Sequence, residues 1–263
     1  MEGQVQSWFN ALTVAGRGIL FEGGPIKVGI IHEYRMSQGR VTMYYYNLSG
    51  GPIMDLKTDI PSVPFLRAQV GEAPTALDAG GRAQQVLMCE CMQPFAEFPV
   101  LNLSFEAQGK RYALSFNLPV AACCFMDPLQ ASYSFFRFQR WDMLTGAPRE
   151  QMCQVTARSA VTAERWAEIR SMITSGMKMG VTDGVASAAG GDNASPTLYA
   201  AGTFRTGSVS PESGAKISLG AMLRLEAEPA FGTFRMTVRA VHGTVAAALR
   251  DVLVAQLGTL DGV

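Results

Sequence analysis

Along the first hundred or so residues, apolar and polar positions alternate with a period of two. In "KVGIIHEYRM", Val28, Ile30, His32, Tyr34 and Met36 fall on one side, and Gly29, Ile31, Glu33 and Arg35 on the other. After the turn "SQG", "GRVTMYYYNLSGG" repeats the pattern and predicts a hairpin. "QQVLMCECM", "FPVLNLSF" and "KRYALSFNLP" are further short runs of this kind, with turns at "GEAPTALDAGG" and "EAQGK". Seven or eight short strands at this spacing predict a β-sandwich, because two half-apolar sheets hide their faces by packing on each other.

The pattern changes near residue 120. "YSFFRFQRWDML", residues 133–144, has no Gly or Pro and predicts a helix rich in aromatics. At about 100° per residue, Tyr133, Phe136, Met143 and Leu144 cluster on one side, and Phe135, Phe138 and Trp141 on roughly the opposite one. One side can pack on a sheet; the other must be core as well or stay partly open. "QMCQVTA" predicts a strand. "TAERWAEIRSMITSGMKMG" predicts a helix capped by Thr162, with Glu164 in its first turn, an end at Gly176 or Gly180, and a stripe of Trp166, Ile169, Met172 and Ile173. "TLYAAGTF", "AKISLGAMLRLEAE" and "FGTFRMTVRAV" predict strands, and "TVAAALRDVLVAQL" a closing helix with Val245, Leu249, Val252 and Leu253 inward. The second half thus reads as an antiparallel sheet flanked by helices. The expected division is a sandwich over 1–120 and an α+β platform over 121–263. The stretches around 183–197 and 206–216 read as exposed loops.

Composition supports packing. Of the 263 residues, 48% are hydrophobic and 17% charged, so a core is within reach. Lys+Arg and Asp+Glu are equal at 22 each, so nucleic-acid binding would need a strongly segregated basic patch. Five cysteines in a chain of this length fit buried free thiols in a reducing compartment rather than a disulfide framework. The beginning has no basic segment followed by an apolar run, and no stretch reads as a membrane span.

Catalytic chemistry has little to rest on. His32 and His242 are the only histidines; each reads as a satisfied or surface side chain. Cys89 and Cys91 share a strand face with no second cysteine pair or histidine nearby, which makes a poor zinc set. There is no phosphate-binding loop, dinucleotide fingerprint or nucleophile elbow. No cofactor, metal or catalytic residue is expected. The informative features are surfaces. In the late hairpin the alternation sets Leu223 and Leu225 against Met222, Arg224 and Glu226, and Phe234, Met236 and Val238 against Arg235, Thr237 and Arg239. One face therefore shows Arg224, Glu226, Arg235 and Arg239. An aromatic shelf at Phe138 and Trp141 beside these arginines suits a short peptide with an aromatic and an acidic residue.

The chain resembles the C-terminal appendage of the alpha-adaptin family, from the plasma-membrane clathrin adaptor complex. The resemblance rests on "GILFEGGPIKVGIIHEYRMSQGRV", "GGRAQQVLMCECMQPFAEFPVLNLSF", "FQRW" at 138–141, and "MLRLE" followed by "FRMTVR", in order over the full length. It implies an immunoglobulin-like sandwich followed by a platform, and a non-catalytic module. Such a module recruits endocytic accessory proteins through DPF, DPW and FxDxF motifs at the platform and WxxF motifs at the sandwich. Carried over by position, the platform contacts are Phe138, Trp141, Glu150, Arg224, Glu226, Arg235 and Arg239. The resemblance also implies that the Trp141 side of the aromatic helix is the one kept for a ligand's ring. At the sandwich, Tyr44 stands where the family has Phe, Tyr46 where it has Gly, Arg82 where it has Gln, and Gln84 fits. The partners implied are disordered accessory proteins, the other adaptor subunits and, indirectly, the clathrin coat, at the cytosolic face of the plasma membrane, without membrane insertion. Beta-adaptin and coatomer gamma appendages share the layout and are the nearest rivals. A nucleic-acid platform is disfavoured by Glu226 inside the patch, and an enzyme by the missing acid–base candidates.

Overall fold

The computed structural model describes residues 2–130, 141–156, 161–182, 196–228 and 232–259. The chain divides into two compact units. One comprises Met1–Gln93 with Glu97–Val120; the other comprises Pro94–Ala96 with Ala121–Val263.

The first unit opens with helix α1 (Glu2–Val14) and then holds eight strands: β1 (Arg17–Gly23), β2 (Ile26–Arg35), β3 (Gln38–Asn47), β4 (Ile53–Asp59), β5 (Leu66–Val70), β6 (Arg82–Cys91), β7 (Val100–Ala107) and β8 (Lys110–Asn117). They form two antiparallel sheets, ordered β1-β2-β3-β6-β5 and β4-β7-β8. The predicted alternation sets the inner faces. Val28 and Ile30, Val41, Met43 and Tyr45, Leu87 and Cys89, and Leu101, Leu103 and Phe105 are all buried. A polar chain crosses this core without loss: Tyr45 donates to Gln85 Oε1 at 2.8 Å, and Gln85 Nε2 donates to Thr58 on β4 and to the Gly71 carbonyl, both at 2.9 Å. Burial also pushes the Tyr45 hydroxyl pKa up, so it stays protonated.

Three elements of this unit lie outside the reading of the sequence: α1, β4 and β5. Val5, Trp8, Phe9 and Leu12 have the i, i+3, i+4, i+7 spacing of a helix face. Phe9 and Leu12 are buried, Phe9 meets Phe98 edge-on at 4.8 Å, and the carbonyl of Ala15, just past the helix, lies 2.6 Å from His32 Nε2. His32 is therefore a satisfied core histidine, with Tyr34 Oη at 3.1 Å from its other ring nitrogen.

The second unit is one sheet with helices. Its strands are β9 (Met126–Pro128), β10 (Glu150–Thr156), β11 (Gly180–Val181), β12 (Thr197–Val209), β13 (Lys216–Glu228) and β14 (Thr233–Ala240). The order is β10-β14-β13-β12-β11, with β9 paired to β12. Helix α2 (Ala163–Ser171) continues into a π-helical turn over Met172–Gly176. It starts as its sequence predicts, with the Arg165 N–H donating to Thr162 Oγ1 at 3.3 Å. Helix α3 (Gly243–Thr259) packs on β10 and β14, burying Val245, Leu249, Val252 and Leu253. The stretch read as a loop from residue 206 is mostly hairpin. β12 continues to Val209 after a register shift, β13 begins at Lys216, and Thr206 donates to the Ile217 carbonyl at 3.1 Å. The loop expected at 183–197 falls for the most part outside the described residues.

No described helix is long and apolar enough to cross a membrane. None of the five cysteines forms a disulfide; four are buried, and Cys153 is half-buried. Burial pushes the Cys91 thiol up to about 12, and the hydrogen bond with Cys124, reinforced by burial, holds Cys123 well above its ordinary value. A buried thiol held protonated is a poor nucleophile, so Cys91 and Cys123 serve as packing groups.

Candidate functional site

Strand alternation and register bring the late-hairpin residues onto one face of the platform sheet. Three rows run across β10, β14, β13 and β12. They are Glu150–Arg239–Met222–Ala201, then Met152–Thr237–Arg224–Tyr199, then Gln154–Arg235–Glu226–Thr197. The opposite face carries Phe234, Met236, Val238, Leu223 and Leu225, all buried. From α3, Arg250 donates to Gln151 on that opposite face at 2.6 Å. The helix therefore covers one side and leaves the row-bearing side to the segment around Trp141.

Trp141 opens a short 3₁₀ turn, Trp141–Leu144. The turn brings Trp141 and Leu144 onto the same side, because residues three apart eclipse at three residues per turn. Both pack on a cluster of Tyr199, Ala201 and Met222. This departs from the orientation expected from the resemblance, in which the Trp141 side stays open. Trp141 is only 8% exposed, and it is Met143 that faces outward. Phe138 and the rest of the aromatic segment before residue 141 lie outside the described residues.

Arg239 fixes the Trp141 turn. Its guanidinium carbon sits 4.2 Å from the Trp141 ring centroid, and its Nη1 donates to the Trp141 carbonyl at 2.8 Å. Its Nε and Nη2 reach Glu150 Oε1 at 2.8 and 2.6 Å. Asp142 lies 3.6 Å away. A cation over an indole face, a bonded carbonyl and two guanidinium N–H groups on one carboxylate oxygen together hold one geometry. The Glu150 carboxyl is held below its ordinary range, chiefly by the Gly146 N–H that donates to it at 3.0 Å and then by Arg239. Arg239 and Glu150 are thus largely committed to each other and to the turn.

The other two arginines are more open. Arg224 pairs with Glu226 at 2.6 Å and lies 5.9 Å from the Tyr199 ring centroid; its Nε is buried with no acceptor. Arg235 is the most exposed of the three, and among the described residues the carboxylate within 4 Å is Glu228 at 3.9 Å. Two residues missed by sequence reasoning complete the face. Tyr199 forms part of its floor, and Met152 stands out from β10 beside Glu150. The period-two pattern of "EQMCQVT" puts Met152 on the Glu150 side, so Met152 was accessible to the same reasoning; Tyr199 needed the β12–β13 register.

The sandwich candidates also come together, on the outer face of the five-stranded sheet. Tyr44 pairs with Gln84 and with Gly29, and Tyr46 with Arg82 and with Lys27. Gly29 has no side chain to separate the tyrosines: a Cβ there would lie 3.7 Å from the Tyr46 ring and 3.9 Å from the Tyr44 Cβ. Both tyrosines are half-buried, and Arg82 and Gln84 are exposed. Elsewhere, a hollow of about 320 Å³ on β4, β7 and β8 is lined by Leu103, Ala113 and Leu114 together with polar side chains, among which Asn102 bridges Asp59 and Ser115. No cluster of metal-ligating side chains occurs among the described residues.

The chain matches two family descriptions in tandem: "Adaptin C-terminal domain" over residues 16–119, and "Alpha adaptin AP2, C-terminal domain" over residues 124–257. It is 24% identical over 257 residues to the AP-2 complex subunit alpha-2 of Dictyostelium discoideum, covering 98% of this chain and 24% of that one. It is 25% identical over 243 residues to the AP-2 complex subunit alpha of Schizosaccharomyces pombe, covering 92% of this chain and 26% of that one. The chain therefore spans about a quarter of the length of these relatives. Among solved structures, the GAE domain of yeast GGA1 is similar over 39% of this chain and 99% of that one, at 18% identity and a TM-score of 0.33. On the family matches, which together span nearly the whole chain, the protein belongs to the alpha-adaptin C-terminal domain family.

Proposed function

We propose that this chain is a protein-interaction module, the appendage of an endocytic clathrin adaptor. In this reading it recruits accessory proteins at the cytosolic face of the plasma membrane by binding short linear motifs of the DPF, DPW or FxDxF type. The observation that carries the reading is the platform face itself, where Arg224 and Arg235 stand beside an apolar cluster built on Trp141 and Tyr199. A motif's carboxylate would take a forked pair from an arginine while its ring packs on the apolar side chains that border this buried cluster. The same face argues against nucleic acid: Glu226, Glu228 and Glu150 each pair with one of its arginines, so it presents no sustained positive stripe. The Tyr44–Gln84 patch is a second peptide surface in this reading. Its tyrosines fill the space over Gly29, so its motif preference differs from WxxF.

Affinity is modest. One ring and one carboxylate bury little area, so a single motif binds at about 10–100 μM, or about 5.5–7 kcal/mol. Repeated motifs and many adaptors in one coat raise the effective strength. The test is fluorescence anisotropy with a labelled peptide containing Asp-Pro-Trp or Phe-x-Asp-x-Phe, against the parent and Arg235→Ala. Micromolar binding that weakens at least tenfold in the variant and with added salt is expected; no binding by the parent would overturn the reading.

A further inference from the structure

An unprotected edge strand offers its backbone to another chain. The edges of the two sandwich sheets are β1 and β5, and β4 and β8. β4 is covered: Ile53 and Leu77 exchange N–H bonds at 2.8 and 2.9 Å, and the Leu56 N–H donates to the Thr75 carbonyl at 3.0 Å. β1 is interrupted by a bulge between Ile19 and Phe21, and β5 has only five residues. β8 has no such protection. It runs for eight residues without proline, and its register with β7 is unbroken from Lys110 opposite Ala107 to Asn117 opposite Val100. The Leu118 N–H donates to the Pro99 carbonyl at 2.8 Å and continues that register. Bonded and non-bonded pairs alternate along an antiparallel ladder. Lys110, Tyr112, Leu114 and Phe116 therefore bond to β7, while Arg111, Ala113, Ser115 and Asn117 turn their N–H and C=O groups away from it. These last four residues are all exposed. The inner row of β8 is unsealed as well. Tyr112, Leu114 and Phe116 are only half-buried, whereas Phe105, Leu103 and Leu101 opposite them are buried.

We propose that the β8 edge is a docking surface for an extended segment of a partner chain, taken up as an added antiparallel strand. It lies on other elements than the platform face and does not depend on the peptide reading given above. Main-chain bonds to Arg111, Ala113, Ser115 and Asn117 hold the segment, and its alternating side chains make it selective. On the outer face, the hollow of about 320 Å³ passes over Ser104 and Ala113, so a large side chain opposite Ala113 leans into it. On the inner face, apolar residues opposite Leu114 and Tyr112 cover the half-open row as cross-strand pairs. Charge selects the end of the segment. Lys57 and Arg111 line an adjoining hollow with Asp55, Glu106 stands opposite Arg111, and Lys110 precedes it, so cations outnumber carboxylates there. Among the described residues, neither Lys57 nor Arg111 has a carboxylate within 4 Å. An acidic residue opposite Arg111 supplies one. From its N-terminus the segment therefore reads apolar, large, apolar, acidic. A second copy of this chain fits less well. Antiparallel pairing of β8 with itself about Leu114 sets Arg111 across from Asn117 and brings no carboxylate. A single strand edge is also small against the roughly 1,000 Å² of a stable protein–protein interface.

The test is amide hydrogen exchange of the ¹⁵N-labelled full chain, with and without the peptide Val-Leu-Asn-Leu-Leu-Phe-Glu-Ala. This probe follows the sequence of β7, which already fits β8, with one leucine in place of serine to fill the hollow. In the free chain the amides of Arg111, Ala113, Ser115 and Asn117 should exchange quickly, and those of Tyr112, Leu114 and Phe116 slowly. The peptide should slow the first set about tenfold. Ala113→Pro removes one outward N–H and leaves the bonds to β7 in place, because proline is tolerated where an edge N–H faces solvent. It should weaken binding about tenfold in a chain whose fold is checked by circular dichroism; should that variant unfold, the alternating protection in the parent decides. Unchanged exchange at millimolar peptide, or protection that appears on the platform or around Tyr44 instead, would overturn the inference and leave the platform reading standing. Protection of the same four amides without peptide, growing with protein concentration, would overturn the choice of occupant in favour of a second copy.

Discussion

Arg239 is the residue on which the platform turns. Its side chain is only 12% exposed and Glu150's 15%, so the pair is largely withdrawn from water. Removing one partner of such a pair leaves the other charge poorly compensated. Arg239→Ala should cost about 3 kcal/mol in urea unfolding. Arg239→Lys, which keeps the charge but loses the fork and the planar contact with Trp141, should recover only part of it. The Glu150 pKa is depressed in the folded chain from an ordinary 4.5. Its contribution is therefore complete above that value and is lost as the pH falls through the lowered one. Glu150→Gln should flatten this acid limb of the stability curve while leaving the neutral limb parallel to the parent's. At this scale the sequence was legible in part. Alternation put Arg224, Glu226, Arg235 and Arg239 on one face correctly. It could not tell a committed arginine from an open one, because that depends on pairing: Glu150 stands opposite Arg239 and takes it, whereas Glu226, opposite Arg235, is taken by Arg224 and leaves Arg235 a distant Glu228.

At the scale of elements, period was read more reliably than length or ends. Strands with clean alternation, such as β2, β3 and β6, and the helices α2 and α3 stand where their patterns put them. The Trp141 turn was misread in its grouping rather than its period. Spacing set Leu144 with Tyr133 and Phe136 and Trp141 with Phe135 and Phe138, although residues three apart lie only about 60° from each other even at 3.6 residues per turn; in the 3₁₀ turn Trp141–Leu144 they eclipse and pack on one cluster. Helix α1 went unread although its apolar spacing is regular. Its docking makes a sharp prediction: Leu12→Ala, at a fully buried position, should cost about 2–4 kcal/mol in thermal or urea unfolding. A loss under 0.5 kcal/mol would mean that α1 is not docked in solution. The β3–β4 connection depends on Asn47, whose buried side-chain amide donates to the carbonyls of Gly51, Leu77 and Asp78 at 2.8, 3.1 and 2.9 Å. Asn47→Ala would leave those carbonyls short of donors and should cost about 2–3 kcal/mol in the same assay.

For the molecule as a whole, the change of pattern near residue 120 coincides with the step between the two family matches, at 119 and 124. The compact units add a detail that no local pattern could carry. Pro94–Ala96, embedded in the sandwich half of the sequence, clusters with the platform unit. Phe95 is buried there, with its ring 6.0 Å from Phe125 and 6.5 Å from Phe204. We propose that a platform begun at residue 121 lacks this plug. Phe95→Ala in the full chain should destabilise the platform by about 3–5 kcal/mol, read by hydrogen exchange of β12 and β13 amides. Little change there would place Phe95 among the sandwich residues energetically.

The central claim is that the platform face receives peptides, and amide chemical-shift mapping tests it most directly. The ¹⁵N-labelled chain would be titrated with an unlabelled Asp-Pro-Trp peptide, and the shifted amides assigned. The account predicts that the shifts concentrate on Glu150–Gln154, Arg224–Glu226 and Arg235–Arg239, and saturate in the micromolar range. Shifts concentrated instead on Tyr44, Tyr46, Arg82 and Gln84, or no shifts at saturating peptide, would contradict it.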